Sequence, residues 1–456
     1  MSSRQLTRRG MLGLAGGLGP LSLADCLRSR ASGHSTVAGA RSVILVRLAG
    51  GPSHLETFDP KPNAPGGAGG PLGTVATTIP GVSFCETLPN LAVQSDRLAV
   101  IRTVHHRQSA HEPGQAYMIS GNRFRPGHNF PSVGAVVGRQ RRRRSDRNGL
   151  PTYVALPDEG VRGGGHLGAA WNPLSVSSDP SRPGFRVADL FPPRTIAADR
   201  LARRRALSAA VRTRFSAQRP SPEGDAVARY TDQAWDIVNS PRARAAFDLE
   251  LESARMRERY GRAVMGQRLL LARRLIEADV PFVTVSAYEW DDHRNLVPRL
   301  REKLPDVDRG LATLVEDLDL RGLLETTMVV VAGEFGRTPA FNENAGRDHW
   351  ANAFSVVVAG GGIVGGQVIG KTDQRAAEPV ARPVTPEDLH FTIYHQLGID
   401  AGRFLPSVSG RDIPILRDGQ VIEELLSCAP ACCHQRFSLC WSGLWPLGKR
   451  WAGGGR

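Results

Sequence analysis

The sequence has no apolar run long enough to cross a membrane as a helix, which needs about 20 residues. Lysine is nearly absent and is confined to Lys61, Lys303, Lys371 and Lys449, so arginine supplies most of the formal net charge of +14. The densest basic run, residues 139–144, has no aromatic residues between its charges, unlike a typical nucleic-acid surface. We therefore interpret the charge as an arginine bias of composition and expect no nucleic-acid partner.

Cysteine is scarce and forms no recognisable framework. Cys26 and Cys85 stand alone, and the remaining cysteines crowd the C-terminal end near His434. Their spacing fits no standard zinc finger, so a loose tail is the simpler interpretation. A disulfide within the tail could form after export.

The N-terminal end has the features of an export signal. Arg8 and Arg9 directly precede an apolar stretch, residues 11–23, and small residues follow it. This pattern is typical of a bacterial twin-arginine signal, and the stretch is too short for a stable membrane span. We expect the twin-arginine machinery to export the protein to the periplasm or cell surface. That route carries folded proteins, often with a cofactor already bound, which suits a metalloprotein.

The remaining sequence predicts one large α/β domain. With 41% hydrophobic and 22% charged residues the chain is typical of a globular protein. We assign residues 1–40 to the signal region, 41–426 to the domain and 427–456 to a tail, with residues 197–278 largely helical.

Apolar, β-branched runs alternate with helical patterns along this domain. They predict strands at residues 42–48, 98–102, 153–156, 281–287, 327–332 and 354–359, a helix at 306–323 and a last helix opening at Thr385. Strands alternating with helices imply a mainly parallel sheet sandwiched by helices.

Acidic and histidine side chains follow the later strands. Because ligands bind beyond the carboxyl ends of parallel strands, we expect these side chains to meet at one edge of the sheet. Mixed carboxylate and imidazole ligands suit zinc, manganese or iron better than calcium. The predicted ligands of this divalent metal ion are Asp291, His293, Glu334, Asp348 and His349, joined from the N-terminal half by His54.

The spacing of these residues sets how they can converge. Asp291 and His293 are two apart, so in an extended segment they face the same side. Asp348 and His349 are adjacent and need a turn to converge, so we expect one of them to support the site rather than bind metal.

Four motifs occur in order along the chain. They are Gly-Gly-Pro-Ser-His-Leu-Glu-Thr-Phe-Asp-Pro-Lys-Pro at 50–62, Trp-Asp-Asp-His at 290–293, Glu-Phe-Gly-Arg-Thr-Pro at 334–339 and Gly-Arg-Asp-His-Trp at 346–350. Together they resemble the exported domain-of-unknown-function family 1501, which is regarded as sulfatase-like within the alkaline phosphatase superfamily. The resemblance covers roughly residues 42–426. It implies an alkaline phosphatase/sulfatase-like α/β fold and an exported location, but no particular substrate.

Departures from the sulfatase pattern affect the expected chemistry. His111 takes the position of the nucleophile, Gln115 that of the following arginine, and Gly50 and Gly51 stand where a sulfatase has paired aspartates. His111 could bind metal, act as a general base or attack as a nitrogen nucleophile, in that order of preference. The alternative is a hydrogen-bonded structural histidine.

Arg337 is the second candidate catalytic residue. Its guanidinium could clamp an anionic oxygen with two parallel hydrogen bonds. The alternative is a salt bridge to a neighbouring acid.

The pattern of predicted metal ligands and the family resemblance together predict an exported metal-dependent hydrolase of sulfate or phosphate esters. Its substrate would be an anionic ester or a polysaccharide. Because the usual nucleophile and paired aspartates are missing, the alternative is a metal- or ligand-binding protein of the same fold without hydrolytic activity. A third hypothesis is a cell-surface structural or interaction protein, which would bind no stoichiometric metal.

Overall fold

The structure is a computed structural model that describes residues 39–145, 149–157, 163–187, 190, 197–218 and 222–426. The predicted twin-arginine signal and the cysteine-rich tail lie outside these residues. Cys85 is described, and it is a buried free thiol.

The described residues form strands and α-helices in the following order along the chain. The strands are β1 (Ser42–Leu48), β2 (Thr74–Ala76), β3 (Ser83–Cys85), β4 (Leu98–Val104), β5 (Val154–Leu156), β6 (Leu174–Ser175), β7 (Phe282–Ala287), β8 (Thr327–Ala332), β9 (Gly336–Arg337), β10 (His349–Trp350), β11 (Phe354–Ala359), β12 (Gln367–Ile369), β13 (Lys371–Thr372), β14 (Pro379–Ala381), β15 (Phe404–Pro406) and β16 (Asp412–Pro414). The α-helices are α1 (Pro89–Val93), α2 (His111–Ser120), α3 (Val133–Ser145), α4 (Ala198–Gln218), α5 (Pro222–Asn239), α6 (Pro241–Phe247), α7 (Ala254–Tyr260), α8 (Val264–Glu277), α9 (Leu296–Leu320) and α10 (Pro386–Gln396).

The central sheet has the strand order β12-β4-β11-β8-β1-β7-β5-β6. β1 lies in its middle and pairs in parallel with both β7 and β8. β11 runs antiparallel to its neighbours β4 and β8, because residues 333–353, all of them described, contain no helix that could return the chain for a parallel pairing. The predicted α/β class with a mainly parallel sheet is confirmed.

Helices cover both faces of this sheet. All residues of β1 are buried, as expected for a strand covered on both sides. Ile44 and Val46 join a core with residues of α8 and α9, whereas Val43 and Leu45 join a second core with residues of α3 and α10. The near-continuous apolar character of β1 therefore reflects two separate hydrophobic contacts.

The long helix α9 begins well before the predicted residues 306–323. Pro305 lies inside it, and a proline normally ends or kinks a helix. Leu296, Leu300 and Leu304, four residues apart, are at most 1% exposed, so burial of this stripe stabilises the turns before the proline.

The last helix, α10, begins as its sequence predicts. The Thr385 hydroxyl accepts a hydrogen bond from the Asp388 backbone N–H, and the Asp388 carboxylate accepts from the Thr385 N–H at 3.0 Å. Pro386 occupies the first helical position, where its missing N–H does no harm. Among the described helices, none has both the length and the apolar character that crossing a membrane requires.

Candidate metal centre

The site forms where β1, β7 and β8 end side by side. Gly50 follows β1, Asp291 follows β7 and Glu334 follows β8. The Gly50 N–H donates to Glu334 Oε1 at 2.8 Å, which joins two of these loops. Gly50 has a φ of +118°, and a Cβ there would lie 2.5 Å from the Asp291 nitrogen. A carboxylate side chain at position 50, as in the sulfatase pattern, therefore has no room.

Three side-chain atoms converge beyond these strand ends. Asp291 Oδ1 lies 3.0 Å from His293 Nε2 and 3.1 Å from His349 Nε2. The two Nε2 atoms are themselves 3.0 Å apart. We call Asp291, His293 and His349 the Asp/His core. The loop after β7 supplies two of its members and β10 supplies the third.

Hydrogen bonds fix which nitrogen of each core histidine carries a proton. His349 Nδ1 lies 2.7 Å from the carbonyl oxygen of Ser109, which can only accept, so this nitrogen donates. His293 Nδ1 donates in the same way to Asp348 Oδ1 at 2.7 Å. With neutral rings, both Nε2 atoms therefore present lone pairs toward the Asp291 carboxylate.

Such an arrangement of three acceptors fits a divalent cation. Lone pairs this close repel one another unless a proton or a metal ion lies among them. Histidines that bind metal commonly donate their second N–H to a carboxylate or backbone carbonyl, as His293 and His349 do here. Two imidazoles and one carboxylate form a donor set suited to zinc, manganese or iron. The residues present thus fit the predicted metal.

Charge and burial set the protonation of the core carboxylate. Desolvation alone would raise the pKa of Asp291, but the hydrogen bond from Arg337 and the positive charge of its guanidinium oppose it, and that pKa lies far below its ordinary range. Burial lowers the pKa of His349. Asp291 is therefore a carboxylate and His349 favours the neutral ring, which are the states that bind metal.

His111 borders the core from the first turn of α2. Its Nδ1 lies 2.8 Å from Glu334 Oε1, and its Nε2 lies 3.4 Å from Asp291 Oδ2. His111, Asp291 and His349 each offer a ligand atom, and these atoms all lie within 4.8 Å of one another. The hydrogen bond to Glu334 raises the pKa of His111. This histidine can therefore serve as a further ligand or as a proton carrier.

Glu334 is a buried hydrogen-bond acceptor beside the Asp/His core. The Glu334 side chain is buried, and its Oε1 accepts from Gly50, from His111 and from Gln115 Nε2 at 3.2 Å. Among the described residues its Oε2 has no hydrogen-bond partner. The described contacts join Glu334 to Asp291 through His111, so the structure makes it a positioning group more directly than a ligand.

Phe335 directly follows Glu334 in the loop after β8. Its ring is buried, and the ring centroid lies 4.4 Å from that of His349 and 5.3 Å from that of His111. The ring packs beside both imidazoles and adds no ligand.

Arg337 has a different position from the substrate clamp that the sequence suggested. Its guanidinium is fully buried and donates to the carbonyls of Gly50, Gly51, Trp290 and Arg347, and to Asp291 Oδ1 at 2.7 Å. With its donors used in this way it holds Asp291 and the surrounding loops in place. A role for its guanidinium in gripping a substrate oxygen does not fit this burial.

His54 does not join the other predicted ligands. It is 1% exposed, and its Nε2 contacts the carbonyl oxygen of Ala376 at 2.8 Å. Burial lowers its pKa. Within the described part of the chain, no hydrogen bond or ion pair connects it to the Asp/His core. It packs instead below β9, where a Cβ on Gly336 would lie 2.6 Å from its Nδ1.

Two supporting groups were missed by the sequence reasoning. One is the Ser109 carbonyl, which no side-chain pattern could reveal because every residue has a carbonyl. The other is Asn342, whose Nδ2 donates to Asp348 Oδ1 at 3.1 Å and to the carbonyl of His293 at 3.0 Å. Asn342 lies in the sequence between the motifs at 334–339 and 346–350, and this position was the signal that could have revealed it.

Fold and site together define an α/β protein with a candidate His/Asp metal centre at the carboxyl edge of its sheet. The chain belongs to the family described as protein of unknown function (DUF1501), which matches residues 40–426. The family resemblance carried by the four sequence motifs is thus confirmed. No curated protein matches the chain significantly.

Several solved structures are similar to the chain at low identity. A putative sulfatase from Bacteroides thetaiotaomicron VPI-5482 has 12% identity and a TM-score of 0.38, over 85% of this chain and 75% of its own. A protein in the alkaline phosphatase superfamily from Vibrio parahaemolyticus has 12% identity and a TM-score of 0.37, over 80% and 68%. The alkaline phosphatase from the Antarctic bacterium TAB5 has 11% identity and a TM-score of 0.35, over 78% and 98%.

Proposed function

We propose that the protein is an exported, metal-dependent hydrolase of sulfate or phosphate esters, with anionic polysaccharides among its candidate substrates. In this proposal Asp291, His293 and His349 bind the metal, and His111 acts as the general acid–base group that exchanges a proton with water or with the leaving oxygen. The observation that carries this proposal is the convergence of Asp291 Oδ1 and the Nε2 atoms of His293 and His349 within 3.0–3.1 Å of one another.

Exposure of the site supports an enzymatic role. The Asp291 side chain is 45% exposed and that of His111 is 35% exposed, so a solvent-borne substrate can reach both. A purely structural metal site is usually closed by protein ligands, whereas a catalytic one keeps an open position. Three protein ligands leave such a position.

The residues around the core divide the remaining chemistry. A divalent metal held there would supply Lewis acidity to an ester oxygen and to an attacking water. Glu334 keeps the Nδ1 proton of His111 in place, which leaves His111 Nε2 as the atom that exchanges a proton with water or with the leaving oxygen. Arg337 fixes the Asp291 carboxylate through its hydrogen bond.

The second candidate function is metal or ligand binding without hydrolysis. The burial of Arg337 favours it, because this guanidinium contacts the core but donates its hydrogen bonds to protein oxygens and is 0% exposed. Under this hypothesis the core binds metal, and His111 is a further ligand.

Turnover of chromogenic esters distinguishes the hydrolase from the metal- or ligand-binding protein. We expect purified protein to hydrolyse p-nitrophenyl sulfate or p-nitrophenyl phosphate, to lose this activity with a chelator and to regain it with zinc, manganese or ferrous iron. His111→Ala should lower kcat about 100-fold or more with metal content unchanged, since general acid–base groups contribute on that scale. Glu343→Ala, an exposed change in the neighbouring loop, is the control. Stoichiometric metal without turnover of either ester would contradict the hydrolase and favour the binding protein.

A further inference from the structure

Helix α4 carries arginines on two different sides. Arg205 pairs with Asp236 of α5 at 2.6 Å, and Arg212 pairs with Asp232 of the same helix. Helix α5 is also the main packing partner of α4. The arginines that point toward α5 are therefore neutralised within the fold, and the opposite side of α4 has no comparable neighbour among the described elements.

The outer side of α4 combines cationic and apolar side chains in one stripe. Its members, which we call the outer stripe, are spaced four, three, four and three residues apart, a pattern that places them along one helix face. They are Arg200, Arg204, Leu207, Val211 and Arg214. Leu207 is 67% exposed and Val211 is 46% exposed, which makes the middle of the stripe apolar and open to solvent.

The arginines of the outer stripe are not used inside the fold. Within the described part of the chain, Arg200, Arg204 and Arg214 form no side-chain hydrogen bond or ion pair, in contrast to Arg205 and Arg212. Leu207 and Val211 lie one helical turn apart with unpaired guanidinium groups at both ends, so they form one amphipathic patch rather than scattered apolar residues. The stripe therefore has the composition of an interaction surface.

We propose that the outer stripe docks the protein on an anionic lipid membrane. The stripe runs about 21 Å along the helix at 1.5 Å per residue, so its ends can reach separate headgroups. Arginines at both ends would contact anionic headgroups, and Leu207 and Val211 between them would enter the boundary with the acyl chains. Arginine stems suit this position, because they lie along apolar surface while the guanidinium stays at the polar level.

Charge argues against a second copy of the chain as the occupant. The sequence has a formal net charge of +14, and two outer stripes placed face to face would bring six unpaired arginines together. An acidic protein remains the other candidate. It would supply the charge but would not require a lipid interface for Leu207 and Val211.

Vesicle co-sedimentation of the full chain tests the proposal. We expect binding to vesicles of one-third phosphatidylglycerol in phosphatidylcholine and no binding to phosphatidylcholine alone. The triple variant Arg200→Gln, Arg204→Gln, Arg214→Gln should bind about 100-fold more weakly at low salt, because each arginine near an anionic surface strengthens binding about fivefold. Leu207→Gln with Val211→Gln should weaken binding about tenfold at any salt concentration.

A matched control removes the same charge elsewhere. Arg182→Gln, Arg262→Gln, Arg301→Gln changes three exposed arginines outside α4 and should leave binding nearly unchanged. Equal losses in both triple variants would show attraction by net charge alone and overturn the proposal. No effect of the Leu207 and Val211 changes would overturn it in favour of an acidic partner. Matching melting temperatures ensure that every variant is folded.

Discussion

At the scale of single residues, the site depends on which ring nitrogens carry protons. The Ser109 carbonyl accepts a hydrogen bond from the Nδ1–H of His349, and the Asp348 carboxylate accepts one from the Nδ1–H of His293. With neutral rings, both Nε2 lone pairs then face Asp291. The supporting groups therefore decide whether the core can bind a cation. Asp348, predicted as a ligand, contributes here by orienting His293.

Replacing Asp348 tests this supporting role. Asp348→Ala removes the acceptor that fixes the His293 ring, so metal affinity should fall about 10- to 100-fold, as for other groups that orient metal-bound histidines. The Asp348 side chain is 54% exposed, so stability should change little. Competition with a chromogenic zinc chelator measures the affinity. The same loss in Glu343→Ala, or no loss in Asp348→Ala, would show that this carboxylate does not orient His293.

At the scale of elements, one side chain connects the loops that build the site. Arg337 on β9 pairs with His349 of β10 in the hairpin register. Its guanidinium also reaches the loop after β1 at Gly51 and the loop after β7 at Asp291. The relative position of these strand ends thus depends on a buried guanidinium.

Shortening this connection should destabilise the fold. Arg337→Lys keeps the charge but offers one nitrogen in place of three, so several buried carbonyls lose their donor. We expect a loss of about 3 kcal/mol or more in the free energy of unfolding, the range for a broken buried pair. Urea unfolding followed by circular dichroism measures it. Arg301→Lys, whose side chain is 64% exposed, should change the value by less than about 0.5 kcal/mol. Equal effects in both variants would contradict a connecting role for Arg337.

Sequence patterns predicted the elements better than their pairing. β1, β8 and β11 have the predicted bounds because each is a short apolar run with clear ends. The antiparallel direction of β11 was missed, although the absence of a helical pattern between β8 and β11 was the available signal. The extension of α9 across Pro305 was also missed, because burial against other elements outweighed a local rule.

For the site too, the sequence indicated which motifs come together but not which side chains are buried by tertiary packing. Asp291, His293 and His349 lie together because the loop after β7 and strand β10 meet at the carboxyl edge of the sheet, and the order of the motifs indicated a common site. His54 had an equally suggestive motif, yet it packs against the Ala376 carbonyl. Sequence alone could not show that Arg337 would be buried, because an exposed and a buried arginine have the same local pattern.

At the scale of the whole molecule, buried histidines should make stability depend on pH. Burial lowers the pKa of His106 to about 4, and it also lowers the pKa values of His54 and His390. The unfolded chain takes up these protons near pH 6.5, about the ordinary imidazole pKa, whereas the folded chain resists them. Stability from these groups is therefore complete above that pH and is lost as the pH falls toward 4.

The expected loss is measurable by urea unfolding with chelator present, so that metal release makes no contribution. His106 alone should account for roughly 3 kcal/mol between neutral pH and pH about 4. His106→Gln should flatten part of this dependence, and His128→Gln, at an exposed position, should not. A free energy of unfolding that stays constant over this range would contradict the assignment of neutral buried histidines.

The central claim is that the Asp/His core holds a metal ion. The most direct measurement is metal content by plasma mass spectrometry on protein purified from its native host, beside the His293→Ala, His349→Ala double variant and the Glu343→Ala control. We predict stoichiometric zinc, manganese or iron in the native protein and in the control, and its loss in the double variant with secondary structure retained. No metal in the native protein, or the same metal content in all three, would contradict the claim.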